Sequence, residues 1–287
     1  NFRVRRGARA KLDSTLNLAG TLEITGAEFA AGNRILADTT TLASNAVLTH
    51  LATTATTTFK MDLNVRTLSV DATSRIDVSG LGFLAAGRPG NLTSRGMTLA
   101  FQPGSFDLSG GSYGGLGGSG GNSVANAVYG DFRNPNEPGS GGGAVGVPGG
   151  NGGGLIRVVA QTLALSGAIR ANGGLVDTGG SASGGSGGGI RIDVGTISGS
   201  GTISANGTPG GGTSGGGGGG ARVAIYYQNA TGFNFANVSA SGVTGPNATN
   251  AGAGTVFLQG PSRETGELIG DNNNLAAPSL STPILGA

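Results

Sequence analysis

The segment Thr162–Gly173 (TLALSGAIRANG) recurs along the chain, and this repetition constrains the fold more than any other feature. Thr196–Gly207 (TISGSGTISANG) and Thr15–Gly26 (TLNLAGTLEITG) match it position for position. Looser copies start at Thr41, Thr67 and Thr98, and a seventh ends at Gly242. A unit of this size cannot bury an apolar face alone, so its copies are expected to stack.

Apolar residues alternate within each frame, as at Leu16, Leu18, Leu22 and Ile24, which is the period of half-buried strands. A second strand precedes each frame, for example at Phe59–Leu63, Ile190–Val194 and Arg222–Tyr227. The frames at Thr15, Thr41 and Thr67 lie 26 residues apart. The predicted fold class is all-β, a right-handed parallel β-helix (solenoid) of about seven coils. Leu22, Leu48, Ile76, Phe106, Ile169, Ile203 and Val238 are expected to stack as one inward row. Ile24, Val78, Leu108, Ala171, Ala205 and Ala240 form the expected second row. Asn172 and Asn206, with Ser79, Ser109 and Ser241 at the same place, mark turns where a short polar side chain bonds to nearby backbone.

Later frames are separated by glycine-rich insertions at 110–154, 173–189 and 207–220, all leaving after the Asn/Ser-Gly turn. Because 110–154 holds 19 glycines, its backbone can approach other backbone closely. The insertions are therefore read as packed lateral layers of polyglycine-II-like chain, in preference to flexible linkers. The predicted organisation is a β-helix over 1–260 and a C-terminal loop and tail over 261–287, where prolines and Asp271-Asn272-Asn273-Asn274 break the pattern. The tail carries Leu275, Leu280, Ile284 and Leu285, and is expected to cap the last coil or to add to a neighbouring molecule's strand edge.

Composition removes several functions. A formal charge of +2, with no basic cluster beyond Arg3-Val4-Arg5-Arg6, argues against nucleic acid. The absence of cysteine removes disulfides and thiolate metal sites. No apolar run is long enough for a membrane-spanning helix, and no secretion signal is visible. The opening in mid-pattern at Asn1-Phe2-Arg3-Val4 reads as a processed or excised piece of something longer.

Few residues could carry chemistry. Asp77 and Asp107 are expected on neighbouring coils, close enough for calcium or a shared proton, but no further acids accompany them. A solvated row beside Arg170 is the favoured reading, and a carboxylate-pair glycosidase centre the least favoured. Arg157, Arg191 and Arg222 each follow a glycine triplet at the start of a returning strand. They are expected to stack, bracing the glycine loops or, as the alternative, holding an anionic saccharide. His50, the sole histidine, falls in an inward row and reads as a core residue. No metal site, cofactor or catalytic residue is assigned.

The repeated frame and the Gly-Gly-Gly-x-Arg-Val returns resemble the glycine-rich β-helical regions of large secreted bacterial surface proteins. Adhesins of the filamentous-haemagglutinin and autotransporter-passenger kind are of this type, and the resemblance covers about residues 10–260. The glycine loops are similar to the polyglycine-II layers of some phage receptor-binding tips. The resemblance implies an extracellular or cell-surface structural protein, not an enzyme. The expected function is a filament or rod subunit that self-associates head-to-tail, with Phe2, Val4, Leu275, Leu280, Ile284 and Leu285 at the contacts. The alternative is an adhesin-type module that binds a cell-surface glycan through the glycine loops. A polysaccharide-cleaving enzyme is the third reading.

Overall fold

The computed structural model describes residues 1–177, 180–276 and 283–284, and the fold is all-β. It corrects the predicted architecture. The strands do not form a single solenoid of about seven coils. They belong to two broad, mostly parallel sheets of ten and seven strands, with two separate two-stranded antiparallel pairs beside them.

The ten-stranded sheet runs in the order Phe2–Arg5, Thr21–Thr25, Ile35–Ala43, Met61–Val70, Ile156–Leu165, Gly189–Ser198, Arg222–Thr231 and Thr255–Gly260, all parallel. Arg263–Ile269 closes it as an antiparallel strand, where the sequence predicts a polar loop. The short strand Leu16–Asn17 pairs beside Ile35–Ala43. The seven-stranded sheet contains Arg9–Leu12, Glu28–Ala31, Val47–His50, Arg75–Asp77, Ala168–Arg170, Thr202–Ser204 and Val238–Ser239, also parallel.

The predicted rows part from the structure for identifiable reasons. Ile76, Ile169, Ile203 and Val238 are successive register partners in the seven-stranded sheet, with Leu48 before them. Leu22 instead lies in the ten-stranded sheet opposite Thr40, and Phe29 holds its expected place beside Leu48. Phe106 leaves the frame altogether. It pairs with Arg95 in the antiparallel hairpin Arg95–Thr98/Gln102–Phe106, because Ala100 and Phe101 both adopt left-handed backbone (φ 57° and 59°) and reverse the chain. The frame at Thr41 is two residues out of step, since Thr39, not Thr41, faces Thr67.

Long strands of the ten-stranded sheet bend in mid-course. In Ile156–Leu165 the buried residues are Ile156, Val158 and Ala160, then Leu163 and Leu165, so the inward parity changes at Gln161–Thr162. The core is built of stacked rows of like residues. Leu63, Val158, Ile192, Ile225 and Leu258 are consecutive register partners and all fully or almost fully buried. Burial of each such side chain contributes about 2 kcal/mol.

The glycine segments carry their own hydrogen bonds. Gly111 N donates to Gly184 O (2.9 Å), Gly118 N to Gly217 O (2.8 Å), Gly184 N to Gly216 O (2.9 Å) and Gly187 N to Gly219 O (3.1 Å). Segments from all three insertions thus bond to one another, most of their glycines being buried. A Cβ placed on Gly188 would land on the carbonyl oxygens of Gly153 and Gly154, whereas one on Gly270 would meet only Gly254 O, at 3.9 Å. Gly188→Ala is therefore expected to destabilise by about 2 kcal/mol or more, and Gly270→Ala by less than about 0.5 kcal/mol, in urea unfolding. Equal midpoints for the two variants would show that the glycine layer is loosely packed.

Candidate functional site

The three arginines do not form the expected stack. Arg157 and Arg191 are register partners and share one counter-ion, Asp193, at 4.0 and 2.9 Å. Arg222 lies two positions away, opposite Gly189 and Thr255, while Ala224 faces Arg191. The sequence hides this shift because the third strand starts earlier after its glycines.

Arg222 is fully buried because part of the 110–154 insertion folds across the outer face of the ten-stranded sheet. Phe132 packs on Phe257 with ring centroids 5.4 Å apart, and Tyr226 donates from its hydroxyl to Arg133 O at 2.7 Å. Arg191 reaches Asn134 Oδ1 at 2.7 Å and lies over the Tyr226 ring at 4.8 Å. Beneath this cover, Arg222 Nε donates to Tyr129 O at 2.7 Å, and one guanidinium nitrogen, Nη2, has no hydrogen-bond partner. Burial pulls the Arg222 pKa down. Its surroundings are Tyr113 and Glu137, whose side chains meet at 3.2 Å, and burial raises the Tyr113 hydroxyl well above its ordinary range. Arg191 and Arg222 therefore hold an insertion against the sheet and present no open anion site. Sequence reasoning missed Tyr113, Tyr129 and Glu137; two of only four tyrosines falling inside a glycine tract was the available signal.

Asp77 and Asp107 are also separate. Asp77 sits in the seven-stranded sheet, paired with Arg75 at 3.1 Å and accepting Ser79 N at 3.0 Å. Asp107 follows the antiparallel hairpin in left-handed backbone (φ 47°). No group of three or more His, Asp or Glu side chains suited to a metal ion occurs among the described residues. No helix among them is long and apolar enough to cross a membrane.

Of the expected contact residues, Phe2 packs edge-on against Phe29 at 5.4 Å and Val4 is buried, so both serve this chain's core. Leu275 is half-buried with its N–H on Asn272 O, and Ile284 is 55% exposed. Leu280 and Leu285 lie outside the described residues.

A concave feature lies where the two sheets end. It has a volume of about 610 Å³, with Phe235, Val238, Ala240, Val256, Leu258 and Ile269 in its wall and Glu267 and Asp271 among its polar residues. Val238–Ser239 is the last strand of the seven-stranded sheet there and, among the described residues, pairs on one side alone.

Comparison with protein-family models, curated proteins and solved structures finds no match to this chain.

His50 is fully buried, its Nδ1 donating to Leu51 O at 2.7 Å and its Nε2 accepting Leu155 N–H at 3.3 Å. Both ring nitrogens are committed, which removes it as a base or ligand. Burial lowers its pKa from 6.5 to about 4. The folded value lies below the unfolded one, so the stabilisation is complete above pH 6.5 and drains away as pH falls toward 4. Across that window roughly 3 kcal/mol is at stake. Thermal melts of the wild type should fall between pH 6.5 and 5, and His50→Gln should flatten that fall; parallel curves would show that other groups govern it.

Proposed function

We propose that this chain is an extracellular structural protein, a subunit of a surface filament or rod that assembles through the ends of its sheets. The observation that carries this reading is the glycine flank. Its donors and acceptors are spent on other glycine segments, as from Gly111 to Gly184 and from Gly184 to Gly216. A surface whose backbone groups are already paired, and which lacks side chains, has little left to recognise a glycan. The same pairing makes it stiff and gives a protease few exposed chain segments.

Other features agree. Only 11% of residues are charged, which suits a passive spacer outside the cell. The two acids suggested for hydrolysis are held apart, one by Arg75 and the other in a turn, so no catalytic centre is assigned. The resemblance of the repeats to glycine-rich regions of secreted bacterial surface proteins points the same way. The glycan-binding alternative keeps one foothold, a groove of about 270 Å³ lined by Arg170, Thr73, Ser166 and Thr202.

Negative-stain microscopy across a range of protein concentrations tests the reading. Uniform fibres that lengthen with concentration are expected. Dispersed particles at every concentration, together with binding on a glycan array that Arg170→Ala abolishes, would transfer the function to the groove.

A further inference from the structure

We propose that the outer side of the ten-stranded sheet, where threonines stack strand upon strand, is an ice-binding face whose ligand is the ordered water of a crystal surface. The inference does not need the filament reading, since a single chain carries the whole face.

Thr21, Thr39, Thr67, Thr162 and Thr196 are consecutive register partners, and Asn229 follows them. Two residues further along each strand, Glu23, Thr41, Ser69, Ala164, Ser198 and Thr231 form a second row in the same register. Between the rows Leu22, Thr40, Leu68, Leu163 and Ile197 are fully buried, so the two rows point outward. The five stacked threonines are half-buried. The hydroxyls of Thr21, Thr67, Thr162 and Thr196 bond to no described residue, and that of Thr39 reaches only Asp38, at 3.4 Å. Every position but Glu23 and Ala164 is Thr, Ser or Asn. Glu23, the one charge, stands at the margin and is held by Arg3 and Arg5. Strand propensity alone does not make such rows, because another outward row of the same sheet runs Asp62, Arg157, Arg191, Ala224, Phe257.

A face of this kind fits a ligand that is itself a lattice. Partners on adjacent strands lie about 4.8 Å apart and the two rows about 6.6 Å apart. In ice, rows of water oxygens repeat at similar lengths in two directions. Each threonine sets a hydroxyl, which gives and takes hydrogen bonds, beside a methyl that orders the water next to it. Its branched β-carbon restricts χ1, so both groups are positioned before the ligand arrives. The near absence of charge belongs with this, because an ion holds its hydration shell in a geometry of its own. A crystalline polysaccharide also has a lattice, but sugar rings stack on flat aromatic side chains, and neither row holds one. Ordered water is the periodic ligand that matches hydroxyl and methyl groups alone.

The test uses the full chain and two readouts, thermal hysteresis of single ice crystals and adsorption of fluorescently labelled chain to a polycrystalline ice surface. Wild type is expected to hold freezing below melting and to coat the ice. Thr67→Lys/Thr162→Lys, which sets two strongly hydrated ammonium groups in mid-face, is expected to lose both effects at an unchanged melting temperature. Asn64→Lys, exposed on the strand that carries Thr67 but outside the rows, is expected to keep both. If the lysine variant does not fold, Thr67→Val/Thr162→Val/Thr196→Val removes the hydroxyls at nearly constant shape and should reduce both readouts. Ice growth that wild type leaves unchanged at every concentration would overturn the proposal. Undiminished hysteresis in the folded lysine or valine variant would overturn the threonine rows as the site. Adsorption to microcrystalline cellulose or chitin without adsorption to ice would overturn water as the ligand. Particles that stay dispersed at every concentration yet coat ice would uphold the face and overturn the filament reading alone.

Discussion

Main-chain hydrogen bonding between glycine segments is the interaction on which the other parts of this structure depend. With no Cβ, one extended segment can lie against several others at backbone distance, a packing that any side chain would prevent. The segment around Gly215–Gly220 shows this, with bonds to Gly118, Gly115, Gly184, Gly187 and Gly252 from three other stretches of chain. A β-strand has two neighbours in its sheet; here the contacts spread in more than one plane. Each bond contributes modestly, but leaving any of these buried groups unpaired would cost about 1–3 kcal/mol, so the layer is held as a whole.

That layer is tied directly to the seven-stranded sheet. The residues just after its strands, Val78, Ala171, Ala205 and Ala240, are buried. Their carbonyls accept from the returning chain at Gly154, Gly188, Ala221 and Gly254, at 2.7–3.2 Å. The same motif therefore ends one sheet strand, accepts the glycine segment and launches the next strand of the ten-stranded sheet. The small residues at three of these four places follow from it, because the incoming chain passes within backbone distance. Sheet and glycine flank are one hydrogen-bonded body, which is why insertions rich in glycine need not behave as linkers here.

What could be read from sequence was whatever depended on local period. Ile169 and Ile203 were placed opposite each other because their frames match residue for residue, and the structure pairs them. The interlocking of glycine segments was legible as composition, though not as particular partners. Sequence could not show where a frame is divided between sheets, as at Leu22, or where two left-handed residues turn a strand back, as at Ala100 and Phe101. The repeat predicts a single solenoid, whereas its strands are apportioned to two broad sheets and two antiparallel pairs. Arg222 was unreadable for another reason. Its burial is caused by residues about a hundred positions upstream, and a tyrosine carbonyl in a glycine tract leaves no periodic mark.

A scaffold built on main-chain bonds and like-on-like apolar rows has a problem of register, since a glycine segment can slide along another at little cost. Polar side chains, most of them half-buried, answer it. Asn126 accepts from Ser105 Oγ and Ser112 N–H at 2.8 and 3.0 Å while its amide donates to Ser112 O and Ala127 O, so a slip of one residue would strand all four. Asn172, Asn206 and Asn272 each take the backbone N–H of a neighbouring segment, at Asn206, Ser241 and Gly242 respectively. His50 fixes Leu155 in the same way. From sequence, Asn172 and Asn206 read as closing local turns; acting between segments, these side chains specify which glycine faces which. The last of the series, Asn272, accepts the Leu275 N–H on its own carbonyl and so holds Gly242 from within a closed turn.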